Sequence, residues 1–258
     1  MTTSDVGVEV GSDAPRPRVV LVDDIAALRA ALPVLLPGLD FVGVHADAEP
    51  FLAQRPDADL VLLDLKLTNT SQPGATQGLD LVQLVVAAGY RVCLYSQEER
   101  RFVLAACFAA GASGLVSKSD PVPVAAAKIA RVLAGEVVLP EGLAGLVETL
   151  VRRGNLRLLS PRQRELLAGR ARGKTYAEIG MELHLSESTL RGYWADLSAV
   201  VAGHLQSTSA ADVEQALGLA PGDLLWPRSE AGRTARPRET SRAGERVRPY
   251  RPRPAGLP

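Results

Sequence analysis

Five polar residues stand directly after apolar runs in the first half of the chain: Asp23, Asp24, Asp64, Ser96 and Lys118. An apolar run without polar alternation is typical of a strand buried on both faces of a parallel sheet. Because ligands bind beyond the carboxyl ends of such strands, we expect these side chains to converge on one pocket. Three crowded carboxylates repel one another unless a hard cation binds them, and oxygen ligands suit Mg2+. Ser96 and Lys118 could then hold the oxygens of a phosphoryl group carried by Asp64.

The elements that must position these residues follow from apolar periodicity. Strands are expected at Val19–Val22, Phe41–Ala46, Leu60–Asp64, Val92–Ser96 and Gly114–Ser117. Five strands that alternate with five helices predict an α/β fold, a (βα)5 doubly wound parallel sheet, over residues 18–135. Before it, residues 1–17 are polar and contain prolines, which predicts a disordered leader. After it, residues 136–154 carry an apolar stripe and are expected to form a linker helix, either a plain connection or a dimer-forming or interdomain helix.

A second informative stretch, Leu159–Leu197, carries the start signals of three helices. Two capping boxes open the first two: Ser160-Pro161-Arg162-Gln163 and Thr175-Tyr176-Ala177-Glu178. A three-residue turn then leads to a third helix from Glu187, and two helices joined in this way form a helix-turn-helix. In the third helix Trp194 falls on the apolar face, so it is expected to pack in the core and not to stack on bases.

The opposite face of the third helix and the preceding turn offer candidate nucleic-acid contacts: Ser188, Thr189, Arg191, Arg172 and Lys174. Arg191 is the one long side chain on this face that could pair with guanine. Arg172 and Lys174, together with Arg170, could bind phosphates, although each could equally be a solvated surface charge. Gly192 and Ala195 offer little for base reading, which keeps open a helix-turn-helix that docks on protein.

Charge is segregated along the 258 residues although the formal net charge is zero. Residues 1–146 carry 11 basic and 17 acidic side chains, a net −6, and residues 228–258 carry 9 and 3, a net +6. The segment 227–258 is rich in Arg and Pro, which predicts a disordered basic tail that either strengthens nonspecific DNA binding or only solubilises the chain. No run is long enough to span a bilayer, and two isolated cysteines indicate thiols in a reducing cytoplasm.

The predicted sheet domain resembles the receiver domain of a two-component response regulator, because the five strand-end residues occur in that family's order. The resemblance implies that Asp64 is the phosphoacceptor and that Asp23 and Asp24 join it in holding Mg2+. It also implies that Ser96 is the switch hydroxyl and Lys118 the phosphate-binding lysine.

The chain departs from the receiver pattern at three places. The loop after Asp64 is long, because Thr68–Gln77 intervenes before Gly78. Leu115 stands where the family has an aromatic switch residue, and Ser119 stands where it has a proline. These departures leave the pocket intact but predict a signalling face that responds differently.

The second stretch is similar to the LuxR-type helix-turn-helix of the NarL/FixJ response regulators, over about forty residues. The matching positions are Leu159-Ser160-Pro161-Arg162, Glu178-Ile179, Leu183, Leu185-Ser186 and Thr189-Leu190-Arg191. The resemblance implies an all-α DNA-binding domain at 155–220, with a final helix near 210–219 where the family places its dimer helix.

Together the two resemblances imply a cytoplasmic, phosphorylation-controlled transcription factor that is not an enzyme and has no membrane partner. The implied partners are a sensor histidine kinase, promoter DNA, RNA polymerase as a further candidate, and a second copy of the chain in the active homodimer. The alternative is a phosphorylation-independent transcription regulator whose receiver senses a ligand or a partner protein, which the long loop and Leu115 keep open.

Overall fold

The computed structural model describes residues 15–67, 76–153 and 159–224. Its first part is one sheet of five strands, β1 Arg18–Val22, β2 Asp40–His45, β3 Leu60–Leu63, β4 Val92–Ser96 and β5 Gly114–Ser117. The helices that follow these strands are α1 Ala26–Leu35, α2 Glu49–Gln54, α3 Gly78–Ala87, α4 Arg101–Ala109 and α5 Val122–Leu133. The sequence predicts disorder for the leader at 1–17 and for the tail at 227–258. Apart from residues 15–17, these segments lie outside the described residues, and so does most of the loop after Asp64.

All strand pairs are parallel, and the strand order is β2-β1-β3-β4-β5. The α/β fold class predicted from the sequence is therefore confirmed. Every residue of β3 and β4 is buried, as expected for strands covered on both faces. In this strand order the direction of winding reverses between β1 and β3, and the ligand crevice of such sheets lies outside the carboxyl ends of these two strands.

The linker differs from the continuous helix predicted at 136–154. Val138 forms a parallel bridge with Gly114, so this part of the linker runs along the open edge of β5. The helical part begins only after Pro140, as a 3-10 helix at Glu141–Leu143 followed by α6 at Ala144–Arg152. The prediction of helix at 136–140 was wrong because the edge of β5 offers backbone partners to an extended segment, and Pro140 lacks the N–H that a helix interior needs.

The remaining elements are helical: α7 Pro161–Ala171, α8 Tyr176–Leu183, α9 Glu187–Ser207 and α10 Ala210–Leu217. Both predicted capping boxes are confirmed, with Ser160 and Thr175 as the N-caps. The third helix extends beyond the expected stretch to Ser207, because apolar residues continue at helical spacing through Val201 and Leu205.

The carboxyl-terminal half of α9 packs against α4 of the sheet domain. Gln206 Nε2 donates to the Phe108 carbonyl at 3.3 Å, and Phe108 and Leu205 belong to one buried apolar cluster. Five consecutive residues of α4, Leu104 to Phe108, are buried, so this helix is covered on the sheet side and on the α9 side.

Among the described residues, no helix combines the length and the apolar character needed to cross a bilayer.

Candidate functional site

Four of the predicted strand-end residues meet at the carboxyl edge of the sheet. Lys118 Nζ lies 2.7 Å from Asp23 Oδ2 and 2.6 Å from Asp64 Oδ2, so one ammonium bridges two carboxylates. Ser96 Oγ donates to the other carboxylate oxygen of Asp64, Oδ1, at 2.9 Å. Asp64 therefore has a hydroxyl on one oxygen and an ammonium on the other, and the residue is 4% exposed.

Asp24 completes a cluster of three acidic residues with Asp23 and Asp64. One carboxylate oxygen from each residue lies within 4.8 Å of the other two, and all three residues are buried. An all-oxygen set of this kind fits a hard divalent cation such as Mg2+, which binds through one or two carboxylates and keeps several waters. A cavity of about 180 Å3 opens beside Asp24 and Asp64, with Ser96 and Lys118 also in its wall.

The electrostatics of the cluster favour the binding of a cation. Burial raises the pKa of Asp23 above its usual range, although the Lys118 ammonium and the Ile25 N–H counteract this rise. Burial alone would lower the pKa of Lys118, but its hydrogen bonds to Asp23 and Asp64 raise the pKa above the usual value. The lysine therefore stays protonated at the pocket, where one ammonium faces three acidic side chains.

A second ion-paired group at the rim of this pocket was missed by the sequence analysis. Glu98 is buried, accepts hydrogen bonds from Arg100 Nε and Nη2, and lies 3.8 Å from Lys66 Nζ. The hydrogen bonds from Arg100 lower the pKa of Glu98 to about 2. The pair of Lys66 and Glu98 joins the loops after β3 and β4. The sequence gives little indication of this pair, since each residue only follows a site residue by two positions.

Two departures from the receiver pattern fall within the described residues, one three positions before Lys118 and one directly after it. Leu115 is buried in β5, where it belongs to the apolar cluster that extends under α4. Ser119 is exposed, and its hydroxyl lies 2.7 Å from Ser117 Oγ. Asp120 accepts from the Ser117 N–H and from Lys128 Nζ, which fixes the start of the loop in the absence of a proline.

The candidate nucleic-acid face is formed by the amino-terminal part of α9 and the turn before it. A tight turn brings α8 to α9: His184 has φ 54°, and a Cβ at Gly180 would lie only 2.7 Å from the Leu185 carbonyl oxygen. Ser186 caps α9 by accepting from the Thr189 N–H at 3.1 Å. Ser188, Thr189 and Arg191 are all exposed on the first turn and a half of this helix.

The basic residues near the turn are in different environments. Arg172 is exposed, whereas Lys174 forms an ion pair with Glu182. Arg170 has little exposed surface, because its guanidinium contacts Glu141 of the linker and the Lys174 carbonyl. Arg170 is therefore engaged within the protein, and the phosphate-contact role considered from the sequence stays a prediction.

Trp194 packs in the core as predicted. It is 4% exposed, and its indole N–H donates to the Leu139 carbonyl of the linker at 3.4 Å. In α10, Glu214 is buried and accepts hydrogen bonds from the N–H groups of Gly222 and Leu224.

Comparisons with known proteins agree with this architecture. Residues 157–198 match the family described as bacterial regulatory proteins, luxR family. The chain is 32% identical over 183 residues to the response regulator RamR of Streptomyces coelicolor, a match that covers 69% of this chain and 86% of RamR. It is 26% identical over 184 residues to the nitrate/nitrite response regulator NarL of Escherichia coli K12, covering 67% of this chain and 83% of NarL.

Solved structures of RcsB are similar as well. A Salmonella typhimurium RcsB response regulator aligns with a TM-score of 0.46 and 19% identity, over 80% of this chain and 99% of that one. A structure of two RcsB dimers bound to two parallel DNAs aligns with a TM-score of 0.45 and 18% identity, over 76% and 100% of the two chains.

A parallel five-stranded domain with acidic residues at its carboxyl edge, joined to a helix-turn-helix, defines the class of DNA-binding transcriptional response regulators. The identity to RamR over most of both chains places the protein within this class: it belongs to the LuxR family of response regulators.

Proposed function

We propose that a sensor histidine kinase phosphorylates Asp64 and that the phosphorylated chain binds promoter DNA as a homodimer in the cytoplasm. The observation that carries this proposal is the environment of Asp64, with Ser96 Oγ at 2.9 Å and Lys118 Nζ at 2.6 Å on its two carboxylate oxygens. Phosphoryl transfer needs a positioned nucleophile and charge stabilisation more than proton chemistry, and this site offers both.

Asp23, Asp24 and Asp64 would hold the Mg2+ ion, which would neutralise charge on the phosphoryl oxygens. An Asp64 oxygen forms the new O–P bond as the bond from phosphorus to the donor breaks. Lys118 is already within ion-pair distance of Asp64, so a small movement would let its ammonium contact a phosphoryl oxygen. The Ser96 hydroxyl could likewise donate to that group instead of to the carboxylate.

The route from the pocket to the DNA-binding helix is short in this fold. Ser96 is the last residue of β4, and the next helix, α4, packs directly against α9. A change in the Ser96 hydrogen bond would bias the β4–α4 segment between two pre-existing arrangements. Because the carboxyl-terminal half of α9 contacts α4, this shift would also act on the helix that carries Arg191 near its amino terminus.

Dimerisation, and not uncovering of α9, is the step that we infer phosphorylation controls. Ser188, Thr189 and Arg191 are exposed while the carboxyl-terminal half of α9 lies on α4. A single helix-turn-helix reads a short site, and two of them related by a two-fold axis read half-sites about one helical turn apart.

A phosphate-affinity gel tests the phosphorylation step. Wild-type protein and Asp64→Asn would each be incubated with a small phosphodonor, with and without Mg2+. We expect a slower band only for the wild type and only with Mg2+, because the variant lacks the nucleophile. The absence of that band from folded wild-type protein would favour the regulator that senses a ligand or partner instead.

Sedimentation velocity and DNA binding test the later steps. The wild type is expected to shift from monomer to dimer when phosphorylated and to bind a duplex recovered from a randomised pool more tightly. A phosphorylated monomer that binds DNA no better than the unphosphorylated protein would contradict control by dimerisation.

A further inference from the structure

One aromatic ring of the helical domain contacts two arginines. The guanidinium carbons of Arg170 and Arg191 each lie 4.9 Å from the centroid of the Tyr176 ring. Both distances are within the range in which an aromatic ring attracts a guanidinium. Tyr176 is half-buried at the first position of α8, directly after the Thr175 cap, so its backbone is fixed by the capping box.

The two arginines differ in freedom. The Arg170 side chain is 14% exposed and is held by Glu141 and by the Lys174 carbonyl. The Arg191 side chain is 61% exposed and pairs with Glu187, one helical turn before it, at 2.8 Å. Tyr176 therefore contacts both the fixed guanidinium of Arg170 and the exposed guanidinium of Arg191. The latter lies on the candidate nucleic-acid face formed by Ser188, Thr189 and Arg191, which we call the reading face.

We propose that Tyr176 is a positioning residue that holds the Arg191 guanidinium for contact with DNA, and that Arg170 ties this ring to the linker through Glu141. This inference rests on the DNA-binding function proposed above. An arginine has several rotatable bonds, and holding it beforehand lowers the entropy lost when it contacts a base or phosphate. Since Gly192 and Ala195 add no long side chain to this face, the placement of Arg191 has a large influence on recognition.

A double-mutant cycle in the full-length chain tests the proposal. The probe is a fluorescently labelled duplex recovered from a randomised pool with the wild-type protein, and the measured quantity is the dissociation constant at fixed salt. Arg191→Ala is expected to weaken binding by about 5- to 100-fold, the range for loss of one good contact between a side chain and a base edge. Tyr176→Leu is expected to weaken it by about two- to fivefold, the range for one exposed cation–π contact.

The decisive comparison is Tyr176→Leu in the Arg191→Ala background. If Tyr176 acts through Arg191, replacing the ring has no further effect on the dissociation constant in this background. The effects of the two substitutions on binding are then not additive. Tyr176→Phe retains the ring and is expected to bind like the wild type. Arg152→Ala is the matched control for charge, because Arg152 forms the same type of pair with Glu148, four residues before it, on α6.

Glu141→Gln tests the anchor of the ring. It is expected to weaken binding less than Tyr176→Leu does, and again only when Arg191 is present. Its melting curve, recorded beside that of Tyr176→Leu, checks that each variant is folded at the assay temperature.

The outcomes separate this inference from the proposed function. A wild-type protein, phosphorylated or not, that binds no duplex from the pool contradicts DNA binding itself. A wild type that binds, with Tyr176→Leu equally harmful with and without Arg191, overturns the positioning role and leaves the function in place. Tighter binding by Tyr176→Leu would also overturn it, since the ring would then be restraining Arg191 away from DNA.

Discussion

The two candidate sites of this protein place their charges in opposite environments. At the sheet edge the Lys118 side chain is 6% exposed and bridges two buried carboxylates. On the reading face the Arg191 side chain is 61% exposed and pairs with Glu187, which is 49% exposed. The charges of the first site are buried and paired with one another, whereas those of the second are exposed to water.

This difference has an energetic meaning. Buried charges are stable only while their partners are present, so removal of one partner leaves another charge desolvated. Exposed ion pairs contribute about 0–1 kcal/mol and are screened by salt. Variants at the sheet edge should therefore change the free energy of unfolding, and variants of the exposed charges on the reading face should change mainly DNA binding.

The largest effect is expected from Lys118→Met. Loss of the ammonium leaves Asp23 and Asp64 without their shared cation, and breaking a buried pair destabilises by about 3–5 kcal/mol. Thermal unfolding in the presence of a chelator should show this loss. Addition of Mg2+ should recover part of it, because the metal would supply the missing positive charge.

The matched control is Lys128→Met, which removes a partly exposed lysine of α5 from its pair with Asp120, a residue of the loop before that helix. Equal destabilisation of both variants, with no response to Mg2+, would contradict the view that the sheet edge is a preassembled cation site.

A smaller effect, with a defined pH dependence, is expected from Glu98→Gln. The pKa of Glu98 is lowered to about 2 in the folded protein, chiefly by hydrogen bonds from Arg100. The ionised form thus contributes stability above about pH 4.5, and this contribution is lost as the pH falls from there towards 2. The variant should be about 1.5–3 kcal/mol less stable at pH 7 because a hydrogen bond to a charged group is lost.

Chemical denaturation between pH 3 and pH 7 measures this dependence. The difference in unfolding free energy between wild type and Glu98→Gln should narrow steadily at the acidic end. A difference that stays constant over this range would mean that ionisation of Glu98 is not the source of its stabilisation.

Thr175→Ala probes the local construction of the reading face. The Thr175 hydroxyl accepts from the Glu178 N–H at 3.2 Å, and removal of such an N-cap costs about 1 kcal/mol. Because this cap precedes Tyr176, DNA binding should weaken together with stability. The matched variant Ser160→Ala removes the cap of α7 and should lower stability by a similar amount without the same change in DNA affinity.

The contrast between the two sites also shows which features the sequence could predict. A buried site leaves a pattern, since a carboxylate such as Asp64 is costly at the end of an all-apolar strand unless a cation or a hydrogen-bond donor stabilises it. The capping boxes at Ser160 and Thr175 likewise specify helix starts locally. The extended segment around Val138 was not predictable, because its partner Gly114 is distant in sequence and the edge of β5 becomes available only in the folded sheet.

The reading face was the hardest part to interpret from residue types alone. Arg170, Arg172 and Lys174 look equivalent in sequence, yet Arg170 is held by Glu141 and packs on Tyr176. Such contacts depend on how α7, α8 and the linker pack together, and no local pattern reports that packing. The same holds for the contact of α9 with α4, which joins helices that are distant in sequence.

The smallest effect on stability is expected from Arg191→Ala, and this variant completes the comparison. Because Arg191 is exposed, its pair with Glu187 and its contact with the Tyr176 ring are both weak, so the free energy of unfolding should fall by less than about 1 kcal/mol. The affinity for the selected duplex should nevertheless fall. A salt titration then assigns the contact: if Arg191 binds a phosphate, the slope of log affinity against log salt should decrease by about 1, and if it binds a base edge, discrimination between duplexes should decrease instead. A variant that loses stability comparable to that of Lys118→Met would show that the reading face, like the sheet edge, is held together by its charges.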